Sequence, residues 1–160
     1  RFTYPARVIA HRGGGVLAPE NTLAGLREAK QRGYAAVEFD VMLARDEVPV
    51  LMHDDTLDRT TNVAGAVPGL SAAELGRLDA GSWRDTRFTG EPVPEFIAAG
   101  RLCRGLGLFA NIEIKPVPGA EWRTGAAVAL DARTLWAGAA VQQAGRNRHR
   151  PDRGRAVPAP

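Results

Sequence analysis

Apolar and polar positions change their rhythm along the chain, and those changes mark its elements. Arg7-Val8-Ile9-Ala10-His11 is a short apolar run stopped by Gly13-Gly14-Gly15, which predicts a buried strand ending in a tight loop. Pro19-Glu20-Asn21-Thr22 then opens a helix to about Arg32, with Leu23, Leu26 and Ala29 at helical spacing and Gly33 as its stop. Ala36 to Leu43 alternates: Val37, Phe39 and Val41 share one side of a strand, and Glu38, Asp40 and Met42 the other. Val48 to Met52 is another short apolar strand, and it runs into His53.

From Asp54 to about Pro94 the texture becomes rich in Asp, Thr, Gly and Pro, with one helical signal, a capping box that starts at Ser71. This stretch reads as an inserted excursion from a repeating core. Glu95 to Leu106 predicts a helix that ends at Gly105 or Gly107. Leu108 to Lys115 predicts a strand with Ala110, Ile112 and Ile114 on one side and Asn111, Glu113 and Lys115 on the other, stopped by Pro116. Strand and helix alternate, which predicts an α/β fold with a largely parallel sheet. Thr124 to Val141 predicts one more helix. Gln142 to Pro160 has no apolar periodicity and is expected to be disordered.

Composition narrows the class. The 160 residues are 44% hydrophobic and 24% charged, as in a soluble globular protein. No segment approaches the run of about 18 apolar residues that spans a bilayer. The single Cys103 rules out an internal disulfide and argues against a thiolate zinc site. Arg1 to Ala10 has no secretory pattern, so a cytoplasmic address is expected. The pI of 9.6 suggests affinity for nucleic acid. However, residues 143–160 hold five of the 21 basic residues and one of the 18 acidic ones, which leaves 16 and 17 in the body. The basic excess belongs to the tail, and no nucleic-acid partner is expected for the folded part.

Polar groups gather at the predicted strand ends: His11 and Arg12, then Glu38 and Asp40, then His53, then Glu113 and Lys115. The polar side of an alternating strand is most often simply wet, and that reading stands beside a functional one. If the strand ends meet at one mouth, three carboxylates there need a cation to neutralise them. All-oxygen ligands favour a hard divalent ion, magnesium or calcium. Arg12 and Lys115 suit the charge of a phosphate, and His11 and His53 suit its proton transfers, in an order the sequence leaves open.

The series His11-Arg12-Gly13, Pro19-Glu20-Asn21-Thr22, Glu38-Phe39-Asp40, Pro49-Val50-Leu51-Met52-His53-Asp54 and Glu113-Ile114-Lys115 resembles the glycerophosphodiester phosphodiesterase family in order and spacing. Asp58-Arg59-Thr60-Thr61 with Gly65 is similar to the start of that family's insertion. The resemblance implies a TIM-type (β/α) barrel, here partial. Residues 1–141 would be an incomplete barrel with an insertion at about 55–94 after the third strand, and 142–160 a tail. It implies a divalent cation on Glu38, Asp40 and Glu113, His11 and His53 as acid and base, and Arg12 and Lys115 on the phosphate. Glu20 and Asn21 would support them. The implied substrate is a small glycerophosphodiester, cut to glycerol 3-phosphate and an alcohol. A full barrel of this type takes about 250 residues. The alternative is therefore a truncated, inactive module that binds metal or forms a homodimer to cover its open edge.

Overall fold

In the computed structural model, which describes residues 6–138, one strand organises the rest. Strand β1 (Ala36–Leu43) lies at the centre of a three-stranded sheet of order β2–β1–β3, and all eight of its residues are buried. Its partners are β2 (Pro49–Leu51), which is antiparallel, and β3 (Phe109–Ile114), which is parallel. The expected alternation holds: Val37, Phe39 and Val41 turn towards the helices, and Met42 joins a separate apolar cluster.

Helix α1 (Leu23–Gln31) starts where the Thr22 hydroxyl accepts from the Gly25 N–H, and the same hydroxyl donates to the Pro19 carbonyl. Helix α3 (Phe96–Leu106) ends at Gly107, whose φ of 65° is the left-handed cap expected of glycine. Helix α4 (Glu121–Leu135) packs on α3, and α3 packs in turn on α1. Phe96 sits at the junction, fully buried, with its ring centroid 6.1 Å from that of Phe39 and 6.2 Å from that of Trp136. Helices on one side of paired parallel strands, with acidic residues on the other, form a section of (β/α) barrel wall. Among the described residues no helix is long and apolar enough to cross a membrane.

The stretch between β2 and α3 has its own core. Met42, Val50 and Met52 from the hairpin enclose Leu57, Val67, Leu75, Ala80 and Val93. Its short helix α2 (Ala72–Leu75) carries the predicted capping box, Ser71 with Glu74. Glu91 accepts from the Ala24 N–H at 2.8 Å and so ties this stretch to the first turn of α1.

Three expectations are corrected. Arg7 to His11 forms no continuous strand, only a parallel bridge from Ala10 to Val37. The sheet is mixed, because too few residues join β1 to β2 for a parallel crossover and the link closes as a hairpin. The helix expected over Thr124 to Val141 begins earlier, at Glu121, and ends at Leu135. The tail from Gln142 to Pro160 lies outside the described residues.

Truncating Phe96 to Ala should destabilise the chain by about 3–5 kcal/mol, because a large aromatic at a three-way packing point leaves a cavity its neighbours cannot fill. Urea unfolding followed by circular dichroism reads this directly, and a loss under about 1 kcal/mol would contradict the packing described.

Candidate active site

The site is built on the side of β1 that carries Glu38 and Asp40. Ala10 to Gly13 is laced alongside it: Ala10 N–H donates to Ala36 O, Glu38 N–H to Ala10 O, and Gly13 N–H to Glu38 O, at 2.9–3.0 Å. Arg12 sits at φ 52° and Asn21 at φ 54°, a left-handed conformation that costs a non-glycine residue about 1–2 kcal/mol. Both residues are held there by contacts to the acids. Arg12 N–H donates to Glu38 Oε2 at 2.9 Å. The Asn21 amide clamps Asp40, donating to Oδ2 at 2.9 Å and accepting the Asp40 N–H at 3.1 Å, while Asn21 N–H donates to Arg12 O.

The parallel register sets Asp40 opposite Glu113. One carboxylate oxygen each from Glu38, Asp40 and Glu113 lies within 4.8 Å of the other two. The wet-face reading therefore fails for two of the three: Asp40 is 1% exposed and Glu38 8%. Burial, with the neighbouring charges of Asp40 and Glu113, raises the Glu38 pKa above the usual carboxylate value, although the Arg12 N–H works against the shift. Among the described residues Glu38 Oε1 has no hydrogen-bond partner, although it is buried. A buried acid oxygen without a donor, beside two more carboxylates, fits a hard divalent cation: the donors are all oxygen and the charge is uncompensated.

The two histidines flank this group. His11 Nε2 is 3.9 Å from Glu38 Oε2, with a largely exposed side chain. His53 reaches the site because β2 folds back along β1 until Met52 N–H donates to Asp40 O. His53 Nδ1 lies 2.6 Å from Asp54 Oδ1, and its Nε2 lies 3.0 Å from Lys115 Nζ, which is 3.8 Å from Glu113 Oε1. His53, Asp54 and Lys115 line an open cleft of about 410 Å³ together with Met42 and Pro116 to Pro118.

Arg12 donates to Glu20 Oε1 at 2.8 Å and lies 3.7 Å from Asp40 Oδ2. All nine sequence-predicted site residues thus fall into one connected constellation. Two members carried no predicted role. Asp54 holds His53, and Arg59 donates to both Asp54 and Glu20. Arg59 was visible only as part of the string that follows His53, and Asp54 only as that histidine's neighbour.

Asp54 has its pKa lowered from 3.8 to about 2, chiefly by the hydrogen bond from Arg59; partial burial opposes the shift, and the hydrogen bond from His53 and the charges of Arg59 and His53 add to the lowering. A carboxyl with a depressed folded-state pKa adds stability above its unfolded value, and the contribution fades as pH falls towards the folded one. Asp54→Asn should therefore lower the melting temperature at pH 6, with the gap to the parent chain closing between about pH 4 and 2. Scanning fluorimetry across that range checks it; a gap that is flat with pH would contradict the pairing.

Comparison with known proteins agrees with this geometry. Residues 11–148 match the Glycerophosphoryl diester phosphodiesterase family. A glycerophosphodiester phosphodiesterase of Caldanaerobacter subterraneus is 41% identical over 108 residues, which cover 68% of this chain and 44% of that one. A phosphodiesterase of Oleispira antarctica, solved in complex with the product sn-glycerol-3-phosphate, superposes with a TM-score of 0.78 at 44% identity, covering 80% of this chain and 52% of that one. The glycerophosphodiester phosphodiesterase of Agrobacterium tumefaciens gives 0.71 at 39%, covering 81% and 53%. The chain spans about half the length of these three relatives. Matched over most of its own length and carrying that family's barrel wall, this chain belongs to the glycerophosphoryl diester phosphodiesterase family.

Proposed function

We propose that the constellation hydrolyses glycerophosphodiesters to glycerol 3-phosphate and an alcohol. One observation carries the reading: three acid oxygens within 4.8 Å of one another, one of them on a residue with a buried, partnerless oxygen, lie between two histidines and two cationic side chains. Glu38, Asp40 and Glu113 would hold magnesium or calcium, and a bound divalent ion supplies Lewis-acid polarisation of the phosphoryl group.

The chain's own residues do the rest. Lys115 offers a point charge, and Arg12 a planar fork held by Glu20, to the non-bridging phosphate oxygens. With its Nδ1–H donated to the ionised Asp54, His53 turns its Nε2 lone pair to the Lys115 ammonium at 3.0 Å; once Lys115 moves to the phosphate, that lone pair takes the proton of the attacking oxygen. Asp54 then stabilises the imidazolium that forms. His11 lies 3.9 Å from Glu38 and is open to solvent, which suits a proton donor to the departing alcohol. Glu20 and Asn21 act as positioning residues, Glu20 through Arg12 and Asn21 through Asp40.

A second reading rests on the sheet edge. Among the described residues β3 is one of the two outer strands, and its Ile114 is 43% exposed. A module that holds the cation and covers this edge with a second copy, without turnover, accounts for those facts. Equilibrium sedimentation together with the assay below separates the two.

Glycerophosphocholine incubated with the chain and magnesium or calcium should release glycerol 3-phosphate, and chelation should abolish the release. His11→Ala and His53→Ala should each lower kcat by about 10²–10⁴-fold while leaving circular dichroism unchanged. Glu38→Gln should weaken cation binding by at least about 10-fold in calorimetry. Turnover that survives chelation, or survives loss of both histidines, would rule the proposal out.

A further inference from the structure

Arg59 joins two parts of the chain that local sequence does not connect. Its Nη1 and Nη2 donate to the two oxygens of Glu20, each at 2.8 Å, and its Nε donates to Asp54 Oδ2 at 2.6 Å. Glu20 lies in the loop before α1, 39 positions earlier in the sequence. Each carboxylate also holds a second group. Glu20 Oε1 accepts from Arg12 Nη1 at 2.8 Å, and Asp54 Oδ1 lies 2.6 Å from His53 Nδ1. A single planar guanidinium therefore fixes the acceptor of the histidine on one side and the acceptor of the arginine on the other.

We infer that Arg59 is a positioning residue, a brace that locks Asp54 so that His53 presents Nε2 to the phosphate, and that does so through a two-carboxylate fork no lysine can reproduce. The inference rests on the acid–base reading above. An aspartate held through one oxygen can rotate about its side-chain bonds; held through both, it keeps its acceptor on Nδ1. Arg12 depends on the brace less, because its own bond to Glu20 and its approach to Asp40 at 3.7 Å remain without Arg59. The brace sits on the surface side of the network, 44% exposed against 13% for Glu20 and 27% for Asp54, so it contributes little to the buried core.

The test compares Arg59→Ala and Arg59→Lys with the parent chain in two assays. In the first, the imidazole ¹⁵N shifts of His53 are recorded on the metal-free protein with Lys115→Met in all three chains, because Lys115 Nζ, 3.0 Å from Nε2, would by itself keep that nitrogen unprotonated. The parent should show mainly the Nδ1–H tautomer, and both variants a mixture. In the second, glycerophosphocholine turnover should show kcat lower by about 10–100-fold in both variants, with KM and cation affinity little changed. A purely electrostatic role would be rescued by lysine, so parent-like kcat in Arg59→Lys overturns the brace, as does an unchanged His53 tautomer in either variant. Should Arg59→Ala fail to fold, Arg59→Lys, which keeps a cation at the position, decides alone. A parent chain that shows the tautomer difference from its variants but cleaves no diester upholds the brace and sinks the catalytic reading. Turnover in the parent that both variants match upholds the catalytic reading and sinks the brace.

Discussion

Glu38 and Asp40 are two carboxylates on one side of a fully buried strand, and the surroundings of β1 follow from having to accommodate them. Burying like charges side by side is unfavourable unless each oxygen finds a donor or a cation. Asp40 is provided for by the Asn21 amide and by the approach of Arg12. Glu38 receives the backbone N–H of Arg12 on one oxygen and, among the described residues, no donor on the other. Two residues accept left-handed backbone to make those bonds, so the loop before α1 is shaped by the acids it serves.

The same constraint explains why the stretch after β2 is folded rather than loose. Its apolar cluster is shared with Met42, Val50 and Met52 of the hairpin. Thr60 reaches back to Met52 Sδ at 3.5 Å, and Thr60 immediately follows Arg59. Packing of the hairpin therefore sets where Arg59 emerges, and Arg59 sets where Asp54 and Glu20 point. Stability and site geometry are coupled through one short segment.

Much of this was legible in the sequence because it is local. Period-two alternation at 36–43, the Ser71–Glu74 capping box and the Gly107 stop depend on neighbours within a few positions, and each is present. The direction of β2 was missed although the signal was there: the short link after Leu43 cannot make a parallel crossover. Arg7 to Ala10 reads as a strand by composition, yet pairs with β1 through Ala10 alone, because pairing depends on the partner's register and not on the apolar run itself. Burial of the polar side of β1 was undecidable from alternation, which marks sides and not what covers them. The Arg59 bridge was out of reach, since a contact across 39 positions leaves no periodic trace.

Charge counting gives the site its internal logic. Glu20, Glu38, Asp40, Asp54 and Glu113 bring five carboxylates into one network, and Arg12, Arg59 and Lys115 bring three permanent cations. With all five ionised, the deficit is two negative charges, which matches one divalent ion. The three cations are not spread evenly over the acids. Arg59 is spent on Glu20 and Asp54, while the approach of Arg12 to Asp40 and of Lys115 to Glu113 is no closer than 3.7 Å and 3.8 Å. The uncompensated charge is therefore concentrated on Glu38, Asp40 and Glu113, with Arg12 beside them on Glu20 at 2.8 Å and Lys115 on His53 Nε2 at 3.0 Å. A network balanced by arginines alone would leave no charge for a divalent ion to neutralise, whereas a deficit confined to three adjacent acids does, and it is only with that charge neutralised that an anionic ligand could approach them.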